Sequence, residues 1–225
     1  MKSISIAIDG PSGAGKSTLA KELSAILGYL YVDTGAIYRT IGYYALTHGI
    51  DPTDEAAVVA ALPDISIRLS YGEDGIQHMY LNDQDVTSEI RLPDVSRYAS
   101  DASAHPGVRA FLLEMQRRLA RENSVIMDGR DIGTVVLPKA NAKIFLTASA
   151  EVRAKRRTDE LIAKGQKANY EQILKEIKQR DHQDTTRPIA PLKQAKDAVL
   201  LDTSEMTIAE VIAAMKRIIG EKIPV

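Results

Sequence analysis

The segment that decides the fold is Ile6–Thr18, with the sequence IAIDGPSGAGKST. The apolar run Ile4–Ile8 leads into a glycine-rich turn, and an amphipathic helical pattern begins at Lys16. The turn matches G-x-x-x-x-G-K-[ST], in which backbone N–H groups and a helix N-terminus together form an anion site. Because strand, loop and helix follow one another in the required order, we interpret the segment as a phosphate-binding loop.

Each position of this loop has an expected contact with a bound nucleoside triphosphate. Lys16 is expected to bridge the β- and γ-phosphates, and the Ser17 hydroxyl is expected to bind Mg²⁺. Asp33 and Asp128, which follow later strands, are expected to hold Mg²⁺ or its waters, as a Walker-B carboxylate does. The expected ATP contacts within the loop are Gly10, Pro11, Ser12, Gly13, Ala14, Gly15, Lys16, Ser17 and Thr18.

The composition is that of an ordinary globular protein. The chain has 225 residues, of which 44% are hydrophobic and 26% charged. Its 29 basic and 30 acidic residues nearly balance, so we expect no general attraction to nucleic acid or to a membrane surface. The absence of cysteine excludes disulfides, thiolate metal sites and a cysteine nucleophile. We expect a cytoplasmic monomer with no membrane partner.

Further apolar runs predict a parallel sheet. They lie at Leu30–Val32, Val125–Met127, Lys143–Leu146 and Val199–Leu201. Helical patterns alternate with these runs, at Lys16–Leu27, Ala36–Thr47, Val108–Arg121, Ala150–Ala163, Tyr170–Gln183 and Thr207–Ile219. The alternation predicts an α/β P-loop fold with a five-stranded parallel sheet flanked by helices.

A different pattern occupies the region between residues 51 and 101. Ile65–Tyr71 and Gln77–Leu81 alternate apolar and polar residues, with the turn YGEDG (Tyr71–Gly75) between them. We interpret this region as a small α+β insert. The predicted organisation is a core from residues 1–33, 105–150 and 170–225, an acceptor-binding region at 34–104 and a short helical lid at 151–169.

Arginines beside carboxylates recur in loops that follow strands. They lie in DTGAIYR from Asp33, DGRDIGT from Asp128 and RDHQDTTR from Arg180. Because ligands of open α/β sheets bind at the carboxyl ends of strands, Arg39 and Arg130 are expected to serve the same site as the phosphate loop. Arginine binds phosphate bidentately and is always charged, so these residues indicate a second phosphate group, on the acceptor.

A phosphate acceptor also accounts for the absence of an evident general base. A phosphate monoester has a second pKa near 6 and is largely dianionic at neutral pH, so no proton need be removed from it. The segment ANAKIF (Ala140–Phe145) lacks the aspartate of an N-K-x-D guanine motif, which argues against a GTP switch.

The segments IDGPSGAGKST, DTGAIYR, DGRDIGT and RDHQDTTRPIAP stand in this order and resemble the signature segments of the cytidylate kinase family, bacterial type. The resemblance implies transfer of phosphate from ATP, with Mg²⁺, to CMP or dCMP. It implies that Arg39, Arg130 and Arg187 bind the monophosphate and that Arg180 and Asp184 contact the sugar. It places Ser100, Arg109 and Asp131 at the cytosine. Thr34, where the family often has serine, Tyr38 and Asp128 complete the expected CMP set.

The segment EVRAKRR places Arg153, Arg156 and Arg157 on one helical face by their i, i+3, i+4 spacing. We interpret this face as part of a lid that closes over the ATP phosphates and excludes water, with Arg153 and Arg157 binding ATP. The alternative is a solvated basic face. The residues expected to act in catalysis are Lys16, Arg130, Arg156, Arg157 and Arg187.

Two alternative functions remain open from the residues alone. One is another small-acceptor P-loop kinase, of the UMP or shikimate type. The other is a non-kinase ATP-binding regulatory protein or a nucleic-acid-associated ATPase. The latter predicts a basic stripe with interleaved aromatics, whereas this chain is only 5% aromatic.

Overall fold

The computed structural model describes residues 3–72 and 76–223. Within them the strands are β1 (Ser5–Asp9), β2 (Leu30–Asp33), β3 (Ile67–Tyr71), β4 (Gln77–Leu81), β5 (Gln84–Asp85), β6 (Val125–Gly129), β7 (Ala142–Thr147) and β8 (Val199–Asp202). The helices are α1 (Lys16–Leu27), α2 (Thr34–Thr47), α3 (Glu55–Ala61), α4 (Pro93–Ala102), α5 (Pro106–Glu122), α6 (Ala150–Ala163), α7 (Tyr170–Thr186) and α8 (Ile208–Lys222). Short 3-10 turns lie at Leu62–Asp64 and Glu89–Arg91, and a π-helical turn lies at Ile132–Val136.

Five strands form one parallel sheet in the order β2-β6-β1-β7-β8. The central strand β1 pairs with β6 from Ser5↔Val125 to Asp9↔Gly129 and pairs with β7 on its other side. A central strand is covered on both faces, which explains why Ile6 and Ile8 are fully buried. The predicted P-loop α/β fold with a five-stranded parallel sheet is therefore confirmed.

The chain divides into two compact units, and the division falls within β2. The first unit comprises residues 1–31 and 122–225, and the second comprises residues 32–121. In the first unit, α1 and α8 contribute to one core with β1 and β7, in which Leu23, Ile144 and Met215 are almost fully buried. A capping box between Thr207 and Glu210 satisfies the first amides of α8.

A second, smaller core in the first unit joins α6 and α7. Ala154 of α6 is buried against Ile173 and Ile177 of α7, with Tyr170 and Leu161 at its edge. The proposed lid at 151–169 thus consists of α6, apart from its first residue, and the connection to α7.

The second unit packs α2 against α4. The contact is close at Gly42, where a Cβ atom would lie 2.6 Å from the backbone nitrogen of Ala99. Strands β3, β4 and β5 form an antiparallel sheet, and β3 and β4 correspond to the alternating segments Ile65–Tyr71 and Gln77–Leu81 of the predicted insert. The predicted turn at Tyr71–Gly75 extends over residues 73–75, which lie outside the described residues.

The apolar patterns located most of the regular elements within a few residues. The α3 and α4 helices and the π-helical turn at Ile132–Val136 were not predicted. Over the described ranges, no helix is both long enough and apolar enough to cross a lipid bilayer.

Candidate active site

The backbone of the phosphate loop requires glycine at two positions for different reasons. A Cβ atom at Gly10 would lie 1.9 Å from the carbonyl oxygen of Leu146 on the neighbouring strand, so no side chain fits there. Gly15 precedes α1 with a left-handed φ of 85°. Because Gly15 has no side chain that could cap α1, the amides of the first helical turn remain available to an anion.

Lys16 is the first residue of α1 and is buried. Its Nζ donates a hydrogen bond to the carbonyl oxygen of Pro11 at 2.8 Å, across the loop. Burial, and then the positive charge of Arg130, lower the pKa of Lys16 to about 7. Phosphate groups at this position would favour the charged ammonium, since they would add to the negative charge of Asp128, Asp184 and Asp9.

Ser17, the next residue, faces a carboxylate at the end of β6. Its Oγ donates to Asp128 Oδ2 at 2.8 Å, and the hydroxyl of Tyr31 donates to Asp128 Oδ1 at 3.0 Å. A hydroxyl oxygen beside a carboxylate is the type of oxygen set that Mg²⁺ accepts when phosphate oxygens complete its coordination. The residues present therefore fit Mg²⁺, and Tyr31, which the sequence did not indicate, orients the carboxylate.

Arginines and aspartates from two segments, the residues after β6 and the C-terminal end of α7, form one network. Arg130 Nε donates to Asp184 Oδ2 at 2.7 Å, and Arg187 lies 3.9 Å from the other oxygen of Asp184. Arg187 also reaches Asp131 Oδ1 at 3.5 Å and donates through Nε to the carbonyl oxygen of Ala190. The structure thus brings together four residues that the sequence placed at the acceptor.

The charges of this network determine the ionisation of Asp184. Burial acts to raise the pKa of Asp184, but the charges of Arg130, Arg180 and Arg187 and the hydrogen bond from Arg130 outweigh it. The pKa of Asp184 is therefore lowered, and the carboxylate stays ionised at neutral pH. The three arginines outnumber the two aspartates, Asp184 and Asp131, and the net positive charge suits a phosphate dianion.

Arg153 is buried and engaged with the protein. Its guanidinium donates to Asp181 through two nitrogens, at 3.0 and 2.6 Å, and to the carbonyl oxygens of Ser12 at 2.9 Å and Ala148 at 2.8 Å. Arg153 therefore joins α6 and α7 to the backbone of the phosphate loop. Asp181, its partner, was not among the predicted site residues.

The other two arginines of α6 have different surroundings. Arg156 donates through Nη2 to the carbonyl oxygen of Thr203 at 2.6 Å and through Nη1 to its hydroxyl at 3.2 Å. The Arg157 side chain is half exposed and pairs with Glu160 at 2.8 Å. Although the three arginines are regularly spaced, Arg153 is buried, Arg156 is half-buried and Arg157 is exposed.

In the second unit, Asp33 organises the start of α2. Its Oδ1 accepts the N–H of Ala36 at 2.8 Å, an N-cap, and its Oδ2 pairs with Arg39 Nη2 at 2.9 Å. The backbone N–H of Asp33 donates to the side-chain oxygen of Gln77, on β4, at 3.0 Å. Arg39 Nε is buried without a hydrogen-bond partner among the described residues, so an anion could satisfy it. Thr34 is buried at the first position of the helix.

Two candidate base-binding residues of the second unit, Arg109 and Ser100, are linked through Ser103. The guanidinium of Arg109 lies 5.4 Å from the centre of the Tyr38 ring and donates to the carbonyl oxygen of Ser103 at 3.1 Å. Ser103 in turn donates through its hydroxyl to the carbonyl oxygen of Ser100 at 2.8 Å. Gln77 carried no sequence signal, because its partner Asp33 lies on another element.

Comparison with known proteins identifies the family of this chain. The sequence profile of the cytidylate kinase family matches residues 6–221. The chain is 53% identical over 214 residues to a cytidylate kinase of Caldicellulosiruptor bescii, covering 94% of this chain and 93% of the relative. It is 48% identical over 221 residues to that of Lactiplantibacillus plantarum, covering 98% of this chain and 96% of the relative.

Solved structures agree at the level of the fold. A gluconokinase from Sinorhizobium meliloti 1021 is 15% identical and covers 97% of this chain and 92% of its own, with a TM-score of 0.50. At that identity the similarity concerns the fold alone. The family profile and the relatives at about half identity also show the function. This chain belongs to the cytidylate kinase family and is a kinase that phosphorylates CMP with ATP.

Proposed function

We propose that the γ-phosphoryl group of ATP, bound with Mg²⁺ at the phosphate loop, passes to a phosphate oxygen of CMP or dCMP. The observation that carries this assignment is the network of Arg130, Asp184, Arg187 and Asp131, which lies in the same unit as Lys16. A second cationic site beside a phosphate loop suits an acceptor that is itself a phosphate.

The donor phosphates are bound by residues 10–18. The loop amides and the N-terminus of α1 bind phosphate oxygens, and Lys16 neutralises charge on the β- and γ-phosphates. Arg153 supports the loop through the Ser12 carbonyl, and Arg157 reaches the donor from the proposed lid at 151–169. Arg156, which binds Thr203, holds α6 for this contact.

Ser17 would hold Mg²⁺, with Asp33 or Asp128 acting through water. Bound Mg²⁺ would neutralise charge on the phosphates and help align them for transfer. In the described part of the chain, no three acidic or histidine side chains gather into a metal cluster. Mg²⁺ in phosphoryl-transfer sites relies on one or two carboxylates and the substrate, which matches this donor set.

The acceptor phosphate is bound by Arg39, Arg130 and Arg187, and the sugar by Arg180 and Asp184. One oxygen of the CMP phosphate forms the new P–O bond as the bond to the ADP oxygen breaks. The acceptor oxygen is already ionised, so no side chain has to take a proton. Catalysis then consists of alignment and of charge neutralisation by the arginines.

The base is recognised by Ser100, Arg109 and Asp131, with Thr34 and Tyr38 lining the acceptor region at 34–104. Cytosine offers an amino donor and a ring acceptor, which suit a carboxylate and an arginine. Uracil offers an oxygen and an N–H at the same positions, so its oxygen would face the carboxylate. A site that leaves buried polar groups unpaired with the wrong base discriminates strongly.

The decisive experiment compares CMP, dCMP, UMP and shikimate as acceptors, with ATP as donor, in the wild type and in Asp131→Ala. Release of ADP should depend on CMP or dCMP in the wild type. In Asp131→Ala, kcat/KM for CMP should fall, and the preference over UMP should narrow by about 1–3 kcal/mol, or one to two decades. An equal loss for both bases would assign Asp131 to the phosphate and not to the base. Strong turnover of UMP or shikimate by the wild type would contradict the assignment of CMP or dCMP as the acceptor.

We further propose that the enzyme is a cytoplasmic monomer. CMP and ATP are small charged metabolites of the cytoplasm, and the near-balanced charge of the chain supports a protein without nucleic-acid partners. Sedimentation at micromolar concentration tests the monomer. If the protein were instead a regulatory or nucleic-acid-associated ATPase, its ADP release would depend on a nucleic acid or protein partner and would be independent of CMP.

A further inference from the structure

Asp9 is a buried carboxylate that takes no part in the transfer described above. It ends β1 immediately before Gly10, and only 4% of the residue is exposed. Its Oδ1 accepts the backbone N–H of Ile132 at 2.7 Å, and its Oδ2 accepts that of Gly133 at 2.7 Å. One side chain thus connects the residue before the phosphate loop to the segment that follows Asp131.

The sheet itself does not make this connection. The pairing of β1 with β6 ends at Asp9↔Gly129, so Arg130 and Asp131 lie beyond the last paired residues. The hydrogen bonds of Asp9 continue the link between the two segments past the end of the ladder. The two oxygens of one planar carboxylate bind two successive amides. They therefore fix the orientation of the turn at Ile132 and Gly133 as well as its distance from Asp9.

We propose that Asp9 is a positioning residue for phosphoryl transfer, which holds the segment carrying Arg130 and Asp131 in alignment with the phosphate loop. This inference rests on the proposed roles of those two residues. It assigns to Asp9 an indirect effect on the rate, through the distance between the groups that bind the donor and those that bind the acceptor.

The ionised form of Asp9 is costly at this buried position. Burial raises the pKa of Asp9 to about 6, although the two backbone hydrogen bonds act in the opposite direction. The negative charge of Asp131 adds to the rise, and the positive charge of Lys16 opposes it. The ionised group is thus less favourable in the fold than in water at neutral pH.

The packing around the connection is also tight. A Cβ atom at Gly133 would lie 3.2 Å from Asp9 Oδ2 and 3.1 Å from Cδ of Lys143. A side chain at position 133 would therefore push its own amide away from the carboxylate. The Gly133→Ala variant disturbs the same connection from the opposite side and leaves Asp9 in place.

The test is Asp9→Asn, which keeps the size of the side chain and one acceptor oxygen but replaces the other with an NH₂ group. We expect kcat to fall by about 10²-fold, as for a small misplacement of reacting groups, while the KM for ATP changes by less than about threefold. The urea midpoint should stay at or above that of the wild type. Asp51→Asn is the matched control, because Asp51 is an exposed carboxylate that also accepts two hydrogen bonds, both from Thr53.

The outcomes separate this inference from the proposed function. The proposed function is overturned if the wild-type enzyme releases no ADP in response to CMP. The inference about Asp9 is tested by the variants alone. A folded Asp9→Asn enzyme with kcat within about threefold of the wild type overturns the positioning role. So does a loss of activity that is merely proportional to a partial loss of folded protein. Should Asp9→Asn not fold, Gly133→Ala decides: lower kcat in folded enzyme supports the inference, and unchanged kcat overturns it.

Discussion

Strands β1 and β2, which lie on either side of β6 in the sheet, each end in a buried aspartate, and the two carboxylates have different tasks. Asp9 ends β1 and binds amides 123 and 124 residues further along the chain. Asp33 ends β2 and binds the amide of Ala36, three residues on, together with Arg39. The phosphate loop intervenes after Asp9, whereas α2 starts directly after Asp33.

This difference shows that residue type and strand position do not determine the role of a side chain. Where the helix follows at once, the carboxylate becomes an N-cap and acts locally. Where a glycine loop occupies that place with its own amides, the carboxylate is free to bind a distant segment.

The largest effect is expected from Lys16→Met, which removes the cation of the loop after β1. We expect kcat to fall by about 10²–10³, the loss typical for one preorganised group that stabilises transition-state charge. The fold should persist, because burial already lowers the pKa of Lys16 to about 7 and the charge is costly there. Lys21→Met, at an exposed position of the same helix, is the control. Near wild-type turnover in folded Lys16→Met would remove the basis for the phosphate loop assignment.

The pH dependence of stability tests the burial of Asp9. Because its pKa is raised to about 6 in the fold from 3.8, its contribution to stability is present at low pH and is lost as the pH rises through about 6. Relative to Asp9→Asn, the wild type should therefore lose up to about 3 kcal/mol between about pH 4 and pH 8, on the order of two pKa units. Urea unfolding of both proteins at the two pH values measures this. A constant difference would show that the carboxylate is not perturbed.

On the other side of the comparison, Gln77→Leu tests the local site at the end of β2. The substitution leaves the buried N–H of Asp33 without its acceptor, at a cost of about 1–3 kcal/mol. We expect the KM for CMP to rise by about tenfold through displacement of Arg39, with the KM for ATP nearly unchanged. Gln84→Leu, on the exposed strand β5, is the control. An equal rise in both KM values would contradict a role confined to the acceptor.

The smallest effects are expected in α6. Arg156→Ala and Arg157→Ala should each lower kcat severalfold without weakening CMP binding at equilibrium. Arg156→Ala should also lower the free energy of unfolding by about 1 kcal/mol, because two hydrogen bonds to Thr203 are lost. Arg157→Ala should change it by less than about 1 kcal/mol, since its pair with Glu160 is exposed. Lys155→Ala is the control on the same helix, and unchanged kcat in both arginine variants would favour a solvated basic face.

The features of this protein that depend on neighbours along the chain could be predicted from its sequence. The phosphate loop is contiguous because its ligands are backbone amides, and the glycines that expose them are visible in Gly10 and Gly15. Parallel strands covered on both faces need near-continuous apolar residues, so β1 and β6 could be recognised. The arginine segments, with the resemblance that they carry, indicated the cytidylate kinase family.

The pairing of polar residues that are distant in the sequence depends on tertiary packing. Asp9 binds Ile132 and Gly133, Arg153 binds Asp181, and Gln77 binds the amide of Asp33. A single sequence holds no periodic or contiguous signal for such pairs, because a hydrogen bond depends on distance in space and the partners here lie 28 to 124 residues apart. The regular spacing of α6 predicted a shared face for its arginines, but packing against α7 determined that Arg153 is buried and Arg157 is not.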